Sequence, residues 1–133
     1  KNVTFIGKKQ LTELPEYINA FDVCLNPQVL KQLTIGNDPL KIDEYLARGK
    51  PVVATKTPAM EMFDGYCYLA TDLEDYLDLI DKALQEDSII LRKQRICLAN
   101  QHSWENSVRL IFYYINNILF GDVSANQNLP QSA

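Results

Sequence analysis

The chain has 133 residues, of which 47% are hydrophobic, which suits one compact domain and excludes a multidomain assembly within this length. Lys and Arg number 13 against 17 Asp and Glu, and the formal net charge of -4 disfavours nucleic-acid binding through phosphate contacts. Charged residues at 23% and aromatic residues at 10% indicate an ordinary folded domain rather than a disordered chain.

Membrane spans and disulfides are not predicted. The longest apolar stretch, at residues 108–120, is interrupted by Arg109, Asn116 and Asn117 and falls short of the roughly 20 apolar residues of a span. The three cysteines are widely spaced without a Cys-x-x-Cys pair, so we expect a reducing, cytoplasmic compartment. Because the chain opens with Lys1 rather than Met, and no signal-peptide pattern precedes its first apolar run, we expect a piece of a longer protein.

Short apolar runs alternate along the chain with longer helical patterns. This alternation is typical of βαβ units around a parallel sheet. The runs are nearly continuous in apolar residues, as strands covered on both faces are. We therefore predict an α/β fold with four parallel strands, at residues 3–6, 23–26, 51–54 and 67–70.

The first two predicted helices carry clear boundary signals. One follows Leu14, with Pro15 suited to its first turn because the missing N–H costs nothing there. The next has Asp38 as N-cap, Pro39 at the first helical position and Gly49 as the C-terminal stop. The faces expected toward the core contain, respectively, Leu14, Ile18 and Phe21, and Ile42, Tyr45 and Leu46.

Three further helices are predicted at residues 73–85, at 89–100 and after Ser103. Asp72 caps the first of these. The apolar stripes expected to be buried are Tyr76, Leu77, Ile80 and Leu84, and then Trp104, Val108, Ile111, Ile115 and Leu119. The polar tail at residues 122–133 is predicted to be disordered.

A ligand site is expected where the loop after the second strand enters the second helix, since parallel α/β sheets bind ligands outside the carboxyl ends of their strands. The backbone N–H groups from Asn37 through Asp38 to Leu40 form a potential anion site at this helix start. Gly36 lets the backbone approach a phosphate closely.

The second helix also carries a charged face. Lys41, Glu44 and Arg48 lie at positions i, i+3 and i+7, away from the apolar residues. Taken alone, such a face is usually a solvated stripe of ion pairs. The surrounding sequence is what gives it a second interpretation.

Residues 37–55 read NDPLKIDEYLARGKPVVAT, and NVTFIG (2–7) and LPEYINAFDVCLNP (14–27) precede them. These strings resemble the GT-B glycosyltransferases, enzymes with two Rossmann-like domains that use nucleotide-activated sugars. The resemblance covers residues 2 to about 70, and residues 103–105 resemble the helical C-terminus of that family. The family segment that carries the second glutamate of its Glu-x7-Glu motif is matched here by Glu44, Ala47, Gly49, Pro51, Val52, Val53 and Ala54.

The resemblance implies the C-terminal, donor-binding half of such an enzyme, truncated at its N-terminus, with residues 1–121 as a partial nucleotide-sugar-binding domain. Glu44 would accept hydrogen bonds from both ribose hydroxyls, with an ion pair to Arg48 as the alternative. Lys41 would neutralise the leaving diphosphate, or be an exposed helix lysine. The pyrophosphate would be lined by Gly36, Asn37, Asp38 and Leu40, with a role as helix cap only as the alternative for Asp38. Gly7 would lie near the nucleobase, and Lys8 and Lys9 would lie near the base or a phosphate.

One departure affects the donor sugar. Eight positions before Glu44, where retaining members keep the first glutamate, this chain has Gly36, so an inverting or divergent branch is an open alternative. The resemblance is nearest to transferases of bacterial surface polysaccharides, of the teichuronic-acid or capsular type. It implies a nucleoside-diphosphate sugar as donor, a saccharide or lipid-linked acceptor, no metal or other cofactor, and a missing N-terminal domain without which this piece is inactive.

Two functions from other classes remain to be weighed. A flavodoxin-like signalling module of the receiver type needs an aspartate at the end of a central strand, yet Asp22 precedes its strand and Asn26 ends it. A protein-interaction domain without enzyme activity would leave residues 36–44 without a purpose. Tolerance of Glu44→Ala in an activity assay would favour this last alternative.

Overall fold

The computed structural model describes residues 2–32, 36 and 40–120, and it confirms the predicted α/β class. The strands are β1 (Cys24–Asn26), β2 (Val52–Thr55) and β3 (Tyr68–Ala70). The helices are α1 (Leu14–Ala20), α2 (Leu40–Ala47), α3 (Leu73–Glu86), α4 (Ile89–Gln101) and α5 (Trp104–Phe120), and a 3-10 helix (Pro58–Phe63) precedes β3. The chain divides into two compact units, Lys1–Gln101 and His102–Ala133.

The three strands form one parallel sheet in the order β1-β2-β3. Cys24 lies opposite Val52, and Ala54 lies opposite both Asn26 and Leu69. Parallel neighbours need crossover connections, which α2 supplies between β1 and β2 and the 3-10 helix supplies between β2 and β3. This is a Rossmann-like arrangement of strands and flanking helices.

The main core lies on one face of this sheet. Val52 and Ala54 of β2 are fully buried and pack in one cluster with Ile42 and Leu46 of α2. Each large apolar side chain buried in this way contributes about 1.5–3 kcal/mol. The cluster is completed by Ile18, Cys24, Met60, Phe63, Cys67, Leu98 and Ala99, so α1, the 3-10 helix and α4 share this face.

Helix α3 covers the opposite face. It packs against β2 and β3, and the Tyr76 hydroxyl donates a hydrogen bond of 2.8 Å to the carbonyl of Val53. Val53 and Ala83 are fully buried but lie outside the main cluster. Since successive strand residues point to opposite faces, Val53 faces α3 while its neighbours face α2.

The end of α2 is fastened to α4. Gly49 stops the helix with φ of 70°, as predicted, and its N–H donates to the Leu46 carbonyl at 2.8 Å. Arg95 of α4, only 3% exposed, donates from Nη1 to the Gly49 carbonyl at 3.0 Å and to Asp87 Oδ1 at 2.8 Å. A guanidinium this buried is tolerated because an anion and a carbonyl satisfy it.

Several predicted helix boundaries are confirmed. Asp72 caps α3 by accepting a hydrogen bond from the backbone N–H of Asp75 at 2.9 Å. Ser103 Oγ accepts one from the N–H of Asn106 at 3.3 Å at the start of α5. The proposed cap Asp38, its neighbour Pro39 and the tail at 122–133 lie outside the described residues.

The predicted strand at residues 3–6 is wrong, because residues 2–10 have no regular secondary structure. Val3, Phe5 and Ile6 are exposed, Phe5 to 94%. A continuous apolar run forms a buried strand only if neighbouring elements cover it. Among the described residues, β1, β2 and β3 pair only with one another, so residues 3–6 have no partner strand. The sheet therefore has three strands rather than four.

The predicted buried stripe of α3 is rotated. Leu77 and Leu84 are 59% and 52% exposed, whereas Ala83 is fully buried. The hydrogen bond from Tyr76 to the Val53 carbonyl and the close approach allowed by Ala83 set the rotation of the helix. Apolar periodicity locates an apolar stripe on the helix. It does not reveal which of two adjacent stripes will pack against the sheet when one of them contains a small residue.

The second unit contains α5, none of whose residues is buried. Within it, Arg109 lies 3.4 Å from Glu105, and the rings of Tyr113 and Tyr114 meet edge to face with centroids 5.5 Å apart. The stripe expected to be buried along α5 is therefore not buried. In the part of the chain that the structure describes, no helix is long and apolar enough to cross a membrane.

Gly49→Ala is expected to lower the free energy of unfolding by about 2–4 kcal/mol. An alanine Cβ would be strained at φ of 70° and would meet Arg92 Cβ at 3.2 Å and the Arg92 carbonyl at 3.3 Å. Urea denaturation measures the loss. Gly65→Ala is the matched control, since Gly65 also has positive φ but open space around it, and it should cost only about 1–2 kcal/mol. Equal losses would contradict the close contact between α2 and α4.

The Asp87 ion pairs predict an acid-dependent loss of stability. Burial alone would raise the pKa of Asp87, but hydrogen bonds from Arg92 and Arg95 outweigh it and hold the pKa below its ordinary value of 3.8. A carboxyl whose pKa is lowered on folding stabilises the fold above its unfolded pKa, and this contribution is lost as the pH falls through the lowered folded pKa.

Urea denaturation from about pH 5 to about pH 2 checks this dependence. Asp87→Asn should be less stable than the native chain at neutral pH and should lose less on acidification. Asp81→Asn, an exposed change on α3, should keep the full acid loss. If the free energy of unfolding of Asp87→Asn fell with pH in parallel with that of the native chain, the role of Asp87 would be refuted.

Candidate functional site

The carboxyl ends of the three strands meet at one edge of the sheet, where ligands of parallel α/β folds bind. Two hydrogen bonds join the chain segments that leave this edge. The N–H of Gln28 donates to Thr55 Oγ1 at 2.9 Å, and the N–H of Lys56 donates to the Ala70 carbonyl at 2.7 Å. The edge is thus held by contacts beyond those of the strand ladder.

Helix α2 follows β1 and leads back to β2, so its first turn lies at this same edge. Leu40 and Lys41 are exposed in that turn, and Glu44 is exposed one turn further along. The rotation of the helix is set by Ile42 and Leu46, which are fully buried in the core. The polar face predicted from the sequence therefore points away from the core, as expected.

Glu44 borders a shallow cleft between α1 and α2. The cleft has a volume of about 220 Å³ and is largely apolar, with Glu44 and Arg48 as its charged lining residues. No ion pair between Glu44 and Arg48 occurs among the described residues, although both side chains are described. The carboxylate is therefore available to a ligand. The remaining lining residues are Leu11, Leu14, Pro15, Ile18 and Ala47.

The predicted site residues are only partly brought together. Gly36 lies in an exposed turn with open space around it, whereas Asn37 and Asp38 lie outside the described residues. Gly7 has φ of 69°, and Lys8 is exposed. Further along this segment, Lys9 Nζ lies 4.6 Å from the centre of the Tyr17 ring. Leu11 then lines the cleft.

Sequence reasoning missed two polar residues at the carboxyl end of β1. Asn26 Nδ2 and Gln28 Oε1 are buried and have no hydrogen-bond partner among the described residues. Such groups are rare in folded proteins and each requires an explanation. The available signal was their position, since polar residues that directly follow an apolar strand of a parallel sheet lie at its ligand-binding edge.

Other clusters offer less. A larger cleft of about 360 Å³ is lined by residues of the turn before β3 and of α3 and α4, among them Tyr66, Leu79 and Arg95, and lies apart from the carboxyl edge. In the described ranges no group of three His, Cys, Asp or Glu side chains could hold a metal ion. His102 precedes α5 and is half-buried.

The fold and the edge described above define a Rossmann-like α/β domain. The family model of glycosyl transferases group 1 matches residues 1–86. The chain is also 30% identical over 118 residues to the putative teichuronic acid biosynthesis glycosyltransferase TuaH of Bacillus subtilis (strain 168). That match covers 85% of this chain and 30% of the relative, so the chain spans about a third of the relative's length. No solved structure matches significantly.

This chain therefore belongs to the group 1 glycosyltransferases. The resemblance stated from the strings around Glu44 is thereby confirmed at the level of the family. Membership explains the order of β1, α2 and β2 and the sequence that joins them. Membership argues against the signalling module. The end of β1 argues against it as well, because the aspartate that such a module needs is absent there.

Proposed function

We propose that this chain is the donor-binding part of a GT-B glycosyltransferase. The enzyme transfers a sugar from a nucleoside diphosphate to a saccharide or lipid-linked acceptor, with surface polysaccharide as the product class. Family membership supports the transferase activity, and similarity to the teichuronic acid biosynthesis glycosyltransferase of Bacillus subtilis supports the polysaccharide class. In this proposal residues 1–121 form the partial donor domain.

The observation that carries the proposal is the position of Glu44. Its carboxylate is exposed at the rim of an apolar cleft, one turn from the start of α2, and it has no ion-pair partner among the described residues. Two carboxylate oxygens can accept hydrogen bonds from the two vicinal hydroxyls of a ribose. The apolar lining beside it suits the flat face of a nucleobase.

Lys41 provides charge where the diphosphate would lie. It is exposed in the first turn of α2, where the helix dipole also favours an anion. During transfer the bond between the anomeric carbon and the diphosphate oxygen breaks, and negative charge grows on the leaving group. Lys41 and the helix start would stabilise that charge, so no metal is required in this proposal.

The acceptor and the group that takes its proton belong, in this proposal, to a preceding N-terminal domain. The chain alone would bind donor nucleotide but would not transfer sugar. Cytoplasmic location is part of the proposal, with peripheral membrane association as its alternative. A cytoplasmic location fits the three free cysteines, two of which are buried. Burial raises the pKa of Cys24 to about 11 and that of Cys67 to about 12.

Glu44→Ala is expected to weaken nucleotide binding without unfolding the chain. Hydrogen bonds to a charged group are worth about 1.5–3 kcal/mol, which corresponds to roughly ten- to hundredfold in affinity. Alanine is a strong helix former and Glu44 is exposed, so circular dichroism and the urea midpoint should stay unchanged. Calorimetric titration with uridine, guanosine and adenosine diphosphates measures the affinity and identifies the base.

Asp81→Ala is the matched control, since it removes an exposed carboxylate from the middle of α3. Its affinity should equal that of the native chain. Native-level binding by Glu44→Ala would refute the ribose role and favour a protein-interaction domain. Absence of binding by the native chain to all three diphosphates would refute the donor site in this chain.

A further inference from the structure

Lys56 lies directly after β2, the central strand, at the carboxyl edge of the sheet. Its backbone is held, because its N–H donates to the Ala70 carbonyl at 2.7 Å and the following Thr57 is buried. Its side chain is exposed and makes no ion pair with any described residue. A flexible cation thus extends from a fixed backbone position.

The alternation of β2 indicates on which side Lys56 lies. Val52 and Ala54 face the cluster that contains α2, and the backbone remains extended at Thr57, with φ of -137° and ψ of 162°. Since side chains alternate along an extended chain, Lys56 falls on the same side as Val52 and Ala54. This is the side on which α2 begins with Leu40 and Lys41.

Several of the described cations are already engaged elsewhere. Arg92 and Arg95 pair with Asp87, and Lys50 Nζ donates to the Asn19 carbonyl at 2.8 Å. Lys82 and Arg109 lie within 4.0 Å of Glu86 and Glu105, respectively. Lys41 and Lys56 differ from these, since both stand at the carboxyl edge and neither pairs with a described carboxylate.

An independent observation marks the same edge as incomplete. Asn26 ends β1 and Gln28 follows it, and the buried atoms Asn26 Nδ2 and Gln28 Oε1 have no hydrogen-bond partner in the described part of the chain. Gln28 is tied to Thr55, the residue before Lys56, by its backbone N–H. Unpaired buried polar atoms are unfavourable, and a polar ligand at this edge would provide their partners.

We propose that Lys56 is a second cation for the diphosphate of the donor, acting together with Lys41 on the same side of the carboxyl edge. This inference rests on the proposed donor site and names a residue that contacts the phosphates there. Two phosphates bring about two negative charges to a chain whose formal net charge is -4, so local cations must offset a repulsive background. Lys56 binds the donor and then holds the leaving nucleoside diphosphate.

The test separates binding of the phosphates from binding of the nucleoside. Affinities for a nucleoside diphosphate and for its nucleoside are measured by calorimetry for the native chain, Lys56→Gln and Lys56→Arg. Lys56→Gln should bind the diphosphate about tenfold more weakly and the nucleoside unchanged, since one charge-assisted hydrogen bond is lost. Lys56→Arg should retain most of the diphosphate affinity, because the charge remains.

Lys93→Gln is the matched control, an exposed lysine on α4 beside Arg92 and so at the far end of α2 from Lys41. It should leave both affinities unchanged. The role of Lys56 is overturned if Lys56→Gln keeps the native ratio of diphosphate to nucleoside affinity. It is also overturned if the diphosphate affinity of Lys56→Gln falls no further than that of Lys93→Gln. If the native chain binds no nucleotide, the donor site itself fails, which is a different and separately recognisable result.

Discussion

The buried guanidinium of Arg95 joins the elements on which the rest of this structure depends. It connects the carbonyl of Gly49, where α2 has just ended, to the carboxylate of Asp87, where α4 is about to begin. Carbonyls at a helix end have no partner within the helix, and a buried cation without an anion is strongly unfavourable. Arg95 thus satisfies both acceptors, and together they satisfy its buried charge. Removing Arg95 would deprive both acceptors of this donor.

This connection sets the orientation of α2, and α2 presents the candidate site. Ile42 and Leu46 on one face of α2 are buried in the core, and Gly49 after its C-terminus is held by Arg95. Glu44 on the other face is consequently exposed beside the cleft. The opposite end of the helix lies at the carboxyl edge of the sheet, where hydrogen bonds of Gln28 and Lys56 tie the departing segments together. Holding these segments in place lowers the ordering cost of binding, which favours the ligand proposed for this edge.

Local chemistry made much of the fold predictable. Gly49 ended α2 because a left-handed residue is needed there, and Asp72 capped α3 because its carboxylate reaches a free N–H. These effects act over three or four residues and can be read without knowing the fold. The strand at 3–6 failed for the opposite reason, since a strand forms only when another strand supplies the second half of its ladder.

The sequence by itself determined the α/β class, most helix boundaries, and Glu44 and Lys41 as exposed charges on one face of α2, because these follow from periodicity and capping along one segment. Only the tertiary structure decided that Arg95 would be buried, that Ala83 rather than Leu84 would face the sheet, and that Lys56 would stand at the same edge as Lys41. Those outcomes depend on which segments become neighbours, and the packing of distant segments is a property of the whole chain rather than of any local pattern.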